Sequence, residues 1–163
     1  MTPPTTRRPV KFFVSYAHGD QRAADGCMAL LQTHLKLSRH HDFTLWRDTA
    51  LLLGERWRKE IADAISACDF GLLLVSPNFL ASDFITTHEL PAFVNGGPKP
   101  VLPVLLEPVS FAHHDLKGLE DHQLYRLNRD RAYGECSTAA QRGRFNLELF
   151  EQIERRLQRH FGA

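Results

Sequence analysis

The apolar residues of this chain gather in short continuous runs, and stretches with helical spacing separate these runs. VKFFVSY (10–16), FTLW (43–46), DFGLLLVS (69–76) and VLPVLL (101–106) are rich in leucine, β-branched and aromatic residues. Their length and composition predict four buried strands. HQLYRL (122–127) is a weaker candidate for a fifth strand.

Apolar residues at helical spacing fill the intervals between these runs. They predict helices at about 20–37, at 57–68, within 82–95 and at about 146–161. Strands that alternate with helices imply right-handed βαβ units and a parallel sheet. We therefore predict an α/β fold, a flavodoxin-like three-layer sandwich with a five-stranded parallel sheet. Such a sheet binds ligands beyond the carboxyl ends of its strands.

Length and composition fit one folded domain. The 163 residues are 43% hydrophobic and 24% charged, which are ordinary values for a globular domain. We assign residues 1–9 to a flexible N-terminal segment and residues 10–163 to the domain. No apolar run reaches the ~18 residues that a membrane-spanning helix needs, and the N-terminus lacks the apolar stretch of a secretory signal. We expect a cytoplasmic protein that does not bind membranes.

Charge and cysteine content argue against a nucleic-acid-binding protein and against one held together by disulfides or zinc. The formal net charge is +1, and acids are interspersed among the basic residues, whereas a nucleic-acid-binding surface needs a basic face. The three cysteines are odd in number and form no CxxC pair, so buried thiols are expected rather than disulfides or a zinc site. The histidine pairs at 40–41 and 113–114 lack the i, i+4 spacing of helical metal ligands, and we predict no metal site.

Several familiar signatures are missing from the predicted strand ends. The chain has no GxGxxG after the first strand, no GxxxxGK(S/T) loop and no GxSxG elbow. A phosphoacceptor receiver domain would place acidic residues where this chain has Ser15-Tyr16 and an aspartate where it has Ser76-Pro77. These observations argue against the common phosphate-binding loops, serine hydrolases and receiver domains.

Four segments of the chain resemble the sequence boxes of one family. They are FFVSYAHGD (12–20), LWRDTALLLGERW (45–57), LLLVSPNFLASDFITTHEL (72–90) and VLPVLLEPV (101–109). Each segment alone is a weak signal, but the four occur in the order and on the elements that are typical of a TIR (Toll/interleukin receptor) domain. The resemblance covers residues 10 to about 110. The residues of these motifs are more similar to those of bacterial, NAD-cleaving members than to those of vertebrate ones.

The resemblance implies the TIR fold and an NAD hydrolase that separates nicotinamide from ribose, with NAD as substrate and no cofactor. The implied catalytic residue is Glu89. The implied substrate-binding residues are Tyr16, Ala17 and Phe84 (or, by spacing, Ile85) at the pocket and Asp48, Gly54 and Trp57 on a gating loop. The resemblance also implies activation by self-association, of which a head-to-tail filament is one form, and an effector role in bacterial antiviral immunity.

Two of these residues also have purely structural interpretations. Thr86-x-x-Glu89 fits a capping box at a helix N-terminus, where Pro91 would be tolerated in the first turn. Trp57 begins the clearest amphipathic helix and is equally compatible with core packing. In addition, many family members place the aromatic residue four positions before the glutamate, whereas Phe84 is five before Glu89. The residues alone favour capping for Glu89, and the resemblance favours catalysis.

A docking module without enzymatic activity is the alternative function. Leu51, Leu52 and Leu53 follow one another in the predicted loop after the second strand. Three consecutive leucines are costly to expose, so we expect them to insert into a neighbouring subunit or to fold over the pocket. Both functions would retain self-association, and turnover of NAD distinguishes them.

Overall fold

The computed structural model describes residues 6–47 and 55–162, with the backbone alone at residues 55–57. The four strands are β1 (Arg8–Ser15), β2 (His41–Arg47), β3 (Phe70–Val75) and β4 (Val101–Leu105). The four α-helices are α1 (Gln21–Lys36), α2 (Glu55–Ala67), α3 (Pro77–Ala81) and α4 (Ala139–Phe161). Shorter helical turns occur at His18–Asp20, Ile85–Glu89, Leu90–Ala92, Leu119–Asp121 and Tyr133–Glu135.

The strands form one parallel sheet in the order β2-β1-β3-β4. The first four strands of a flavodoxin-like sheet have the same order. β1 lies next to β3 with Phe12 opposite Phe70, and β3 lies next to β4 with Gly71 opposite Val101. The chain moves to one side of β1 for β2 and to the other side for β3. The strand order therefore reverses between β1 and β3, and a crevice is expected at their carboxyl ends.

The predicted fifth strand is wrong, since the sheet has four strands in the part of the chain that the structure describes. Residues 122–127 contribute one parallel bridge, in which the Leu105 N–H donates to the Tyr125 carbonyl at 2.8 Å and the Tyr125 N–H to the Pro103 carbonyl at 2.9 Å. The pairing cannot extend toward the start of β4, because Pro103 has no N–H to donate to residues 122–124. Forward pairing stops because the Leu127 N–H donates to the Arg131 carbonyl at 2.8 Å.

Both faces of the sheet are covered by helices, which confirms the predicted α/β architecture. Successive residues of β1 point to opposite faces: Phe12 belongs to the core under α1 and α4, and Phe13 to the core under α2, α3 and the segment after α3. Every residue of β3 is buried, as its continuous apolar sequence predicts. None of the described helices has an apolar stretch long enough to cross a bilayer.

Side-chain caps set the start of two helices. The Ser76 Oγ accepts a hydrogen bond from the Phe79 N–H at 3.0 Å at the start of α3, and the Thr138 Oγ1 accepts one from the Gln141 N–H at 3.1 Å at the start of α4. Such caps satisfy amide groups that have no partner in the first helical turn. α4 therefore begins well before the predicted start. The sequence pattern missed its first turns because their residues are mostly small or polar and carry no apolar periodicity.

All three cysteines are buried and free, as the sequence predicts. Burial is the main cause that raises the pKa of the Cys27 thiol to about 12, and the nearby Cys136 adds to the shift. At neutral pH Cys27 is therefore a protonated thiol that packs as a small apolar side chain.

Gly71 is predicted to be essential for packing β3 against the segment after α3. A Cβ atom at Gly71 would lie 2.5 Å from Cε1 of Phe93, whose ring is 2% exposed. We expect Gly71→Ala to lower the free energy of unfolding by about 1–3 kcal/mol, because overpacking a dense core forces its side chains and backbone to shift. Chemical denaturation of the purified protein measures this loss.

Gly143→Ala is the matched control for this substitution. A Cβ at Gly143 in α4 would meet nothing within 4 Å, and alanine restricts the unfolded chain and favours the helix by about 0.5–1 kcal/mol. The control is therefore expected to be at least as stable as the parent protein. Equal stability of both variants would contradict the packing of Phe93 over Gly71.

Candidate functional site

A small cleft opens at the carboxyl end of β1, beside the point where the strand order reverses. It encloses about 70 Å³ between the end of β1 with its following loop and the segment after α3. Its lining residues are Val14, Ser15, Tyr16, Ala17, His18, Ser82, Phe84, Ile85 and Glu89. The cleft therefore contains four of the seven sequence-predicted site residues, namely Glu89, Tyr16, Ala17 and Phe84.

Glu89 is a buried carboxylic acid in the wall of this cleft. It is 7% exposed and is the last residue of the helical turn Ile85–Glu89. An acid almost never lies so deep unless other groups compensate for its lost hydration. The Glu89 side chain thus lies at the carboxyl ends of the strands, where sheets of this class bind ligands.

The capping-box alternative for Glu89 is wrong. Thr86 lies within the helical turn rather than at its N-cap. Its N–H donates to the Ser82 carbonyl at 3.1 Å, and its hydroxyl donates to the same carbonyl at 2.9 Å. The Thr86 amide is therefore already bonded to a residue earlier in the chain, and Thr86 is not the N-cap residue that a capping box requires.

The helix predicted within 82–95 is present but irregular, since most of it is a π-helical turn followed by a 3₁₀ turn. The Leu90 N–H donates to the Ile85 carbonyl five residues earlier, and the 3₁₀ turn Leu90–Ala92 follows. Pro91 explains the change, because in an α-helix its ring would clash with the carbonyl four residues before it. π-helical turns are rare, and they occur frequently at functional sites.

The wider turn accounts for the unusual spacing between the aromatic residue and the glutamate. Phe84 and Ile85 lie five and four positions before Glu89, and all three line the cleft. The Phe84 ring is half-buried and its centroid lies 4.7 Å from that of His88. Both candidates for the partner of Glu89 are therefore cleft residues, and only Phe84 presents a ring.

Three of the sequence-predicted residues cannot be placed against the cleft. Asp48 and Gly54 lie outside the described residues, as do the leucines at 51–53. Trp57 belongs to α2, in agreement with the helix prediction, and its side chain lies outside the described part of the chain. Conversely, the cleft contains Ser15, Ser82 and His18, which the sequence did not single out as site residues. The only available signal was their position directly after predicted elements.

Asp20 anchors the loop that forms one wall of the cleft. Its carboxylate accepts hydrogen bonds from the Ser76 hydroxyl and from Nδ2 of Asn78, the latter at 2.9 Å. Ser76 and Asn78 follow β3, so these bonds join the loop after β1 to the start of α3. Asp20 is 8% exposed and Ser76 is 0% exposed. The sequence did not predict this anchor, because the two partners lie far apart along the chain.

A group of acids lies outside the cleft, at the end of β4. Burial is the main cause that raises the pKa of the Glu107 carboxyl, and the nearby Asp20 and Glu135 add to the shift. Gly134 packs against this side chain, since a Cβ there would lie 2.2 Å from the carboxylate oxygens. Within residues 6–47 and 55–162, no group of three His, Cys, Asp or Glu side chains is arranged to hold a metal ion.

The chemistry available in the cleft depends on the carboxylate of Glu89. Among its described lining residues, Glu89 is the only carboxylic acid. Hydrolysis of an ordinary glycoside uses a pair of carboxyl groups, one to protonate the leaving group and one to act on the sugar. One carboxylate is sufficient where the leaving group departs without protonation. Within the described lining, Glu89 could act alone only on a substrate of this second kind.

Comparison with known proteins identifies the family of the chain. The family model described as "TIR domain" matches residues 12–139. The chain is also 31% identical over 104 residues to the "Uncharacterized protein y4lF" of Sinorhizobium fredii (strain NBRC 101917 / NGR234). That alignment covers 62% of this chain and 31% of the relative. The chain thus matches less than a third of the relative's length.

Asp20→Ala is expected to destabilise the protein by about 1–3 kcal/mol, because it leaves the buried Ser76 hydroxyl and the Asn78 amide without their acceptor. Asp42→Ala is the matched control. Asp42 pairs with Arg7 at 3.7 Å, and the two side chains are 66% and 39% exposed, an arrangement that typically contributes about 0–1 kcal/mol. Chemical denaturation compares the variants, and an equally small effect of both would contradict the anchoring role of Asp20.

Proposed function

Because the chain belongs to the TIR domain family, we propose that it is an NAD glycohydrolase that cleaves the bond between nicotinamide and ribose. The family includes NAD-cleaving enzymes. The observation that carries the proposal is the position of Glu89, a buried carboxylate in a cleft at the strand ends. In this proposal Glu89 is the catalytic residue, and Tyr16, Ala17 and Phe84 shape the substrate pocket.

The reaction needs little more than a well-placed negative charge. The nicotinamide of NAD is attached to C1′ through a positively charged nitrogen, so it leaves as a neutral base that takes the bonding electron pair. The ribose becomes an oxocarbenium-like cation, and the Glu89 carboxylate stabilises the positive charge as it develops. Water then adds to C1′ and releases a proton, which gives ADP-ribose, nicotinamide and one proton from NAD and water.

Phe84 supplies an apolar ring next to the acid. A half-buried phenylalanine that lines the same cleft offers a flat face on which the nicotinamide ring can stack. Trp57, Asp48 and Gly54 enter the proposal through the family resemblance alone, as residues of the loop that gates the pocket.

The size of the cleft makes a change of shape part of the proposal. The described residues enclose about 70 Å³, whereas pockets that hold small molecules typically measure about 300–1,000 Å³. The cleft that they form is thus too small for a ribosyl-nicotinamide. We propose that the cleft widens on substrate binding, and that self-association of copies favours the wider form. A head-to-tail contact between copies would extend into an open filament.

The proposed biological role is that of an effector domain in bacterial immunity, in which consumption of NAD follows the detection of infection. This role rests on the resemblance of the motifs to bacterial members of the family. A non-enzymatic docking module is the second candidate, and the specific observation that favours it is the run of leucines at 51–53. Such a module would assemble through that loop without turning over NAD.

Glu89→Gln is expected to lower the rate of nicotinamide release by about 10²–10³-fold, the typical effect of removing one preorganised electrostatic partner. The variant keeps the shape of the side chain and removes its charge. Asp83→Asn is the matched control, since Asp83 is an exposed acid of the same segment and should retain the parent rate. Chromatographic measurement of nicotinamide from NAD tests both. Equal rates for Glu89→Gln and the parent protein would reject the catalytic assignment.

The rate per molecule is expected to rise with protein concentration, because self-association is proposed to favour the open cleft. Replacement of Leu51, Leu52 and Leu53 together by serine should reduce both the assembly and this rise. Light scattering measures assembly, and nicotinamide release measures activity in the same samples. Assembly of the parent protein without any turnover of NAD would select the docking module instead.

A further inference from the structure

Ser15 carries a buried hydroxyl that the described part of the fold leaves without a partner. It is the last residue of β1 and is 2% exposed. Among the residues that the structure describes, its Oγ has no hydrogen-bond partner. Burying a hydroxyl without a hydrogen bond costs stability, and native proteins rarely keep such a group without a reason.

The other buried serines show how the fold normally treats this side chain. The Ser76 hydroxyl donates to Asp20 and accepts from the Phe79 N–H. The Ser38 Oγ donates to Glu154 and accepts from the His41 N–H at 3.1 Å. Each of these hydroxyls both donates and accepts a hydrogen bond. Ser15 is the exception.

The alternation of β1 places the Ser15 side chain on the face of the sheet that carries Glu89. Phe13 packs into the core under α2 and α3, and the side chain two residues later points to the same face. Ile85 belongs to that same core. Ser15 and Glu89 both line the cleft of about 70 Å³. Ser15 is therefore a residue of the cleft wall rather than of the general core, and its Oγ is buried in that wall.

We propose that Ser15 is a substrate-binding residue whose hydroxyl bonds to a hydroxyl of the ribose that carries the nicotinamide. This inference rests on the proposed NAD glycohydrolase function and names the part of the substrate that Ser15 recognises. A carboxylate can only accept hydrogen bonds, whereas a serine hydroxyl can donate and accept. The ribose presents two adjacent hydroxyls, so Glu89 accepts from one and Ser15 bonds to its neighbour.

Binding the sugar at two points fixes its orientation. With one contact the ring can rotate about the bond to Glu89, and with two contacts C1′ is held beside the carboxylate. Correct orientation of the reacting centre lowers the barrier of the chemical step. The stability that the protein loses by burying an unpaired hydroxyl is recovered only when the sugar is bound.

Ser15→Ala separates this role from a structural one. Removal of a hydroxyl that has no partner should leave the melting temperature unchanged or raise it, whereas kcat/KM for NAD should fall by about tenfold, the usual scale for one hydrogen bond. Ser38→Ala is the matched control with the opposite pattern. It removes a hydroxyl with protein partners at the end of α1, so the melting temperature should fall while kcat/KM remains the same.

Substrate analogues test which group Ser15 binds. NAD that lacks the 2′- or the 3′-hydroxyl on the nicotinamide ribose is compared in the parent protein and in Ser15→Ala. With one of the two analogues, the ratio of kcat/KM between the parent protein and Ser15→Ala should fall from about ten to about one. That analogue already lacks the ribose hydroxyl that Ser15 binds. A difference that persists with both analogues would overturn the ribose assignment.

The outcomes also distinguish this inference from the proposed function. Full kcat/KM in Ser15→Ala, or a lower melting temperature, would overturn the inference and leave the NAD glycohydrolase intact. If the parent protein releases no nicotinamide, the proposed function fails. Binding of Ser15 to the sugar is then tested by the rise in melting temperature that NAD causes, which should be smaller in Ser15→Ala than in the parent. An equal rise in both, or no rise in the parent, overturns the inference.

Discussion

The reversal of strand order between β1 and β3 is the constraint on which the rest of this molecule depends. β1 and β3 are central, parallel and buried, and the chain leaves their carboxyl ends towards opposite sides of the sheet. No connecting segment can cover both ends at once, so a crevice remains there. Asp20 links the segments that follow these two strands, because its carboxylate joins the loop after β1 to the start of α3.

Polar groups in this crevice are held at some cost to the fold. Glu89 and Ser15 are 7% and 2% exposed, and the buried residues of the protein are mainly phenylalanine, leucine, isoleucine and valine. The π-helical turn Ile85–Glu89 breaks the regular hydrogen-bond pattern of a helix at the same place. Departures from local rules tend to gather at functional sites. Their coincidence here supports a ligand site, independently of the family to which the chain belongs.

The β4 edge of the sheet shows how backbone hydrogen bonding limits the number of strands. Pro103 lacks the N–H that would extend pairing with a fifth strand, and the Val101 carbonyl accepts a hydrogen bond from the Arg156 guanidinium at 3.4 Å. The edge of β4 is thus occupied by one bridge and one side chain. An edge that offers few free backbone groups is protected against pairing with other chains. The apolar pattern of 122–127 could not reveal this, because the pattern does not record which amides are already bonded.

The sequence by itself determined the α/β class, the parallel sheet and the burial of its strands, because these follow from local periodicity and from the order of elements. It also proposed Glu89 and Phe84 as site residues through short family motifs, and the two side chains line one cleft. Only the tertiary structure decided that Thr86 does not cap the turn, that the Ser15 hydroxyl has no partner among the described residues, and that Asp20 binds Ser76. Asp20 and Ser76 are distant in sequence, and no local pattern encodes their contact. Pro91 signals an irregular helix at 82–95, but it does not by itself reveal that the turn is π-helical.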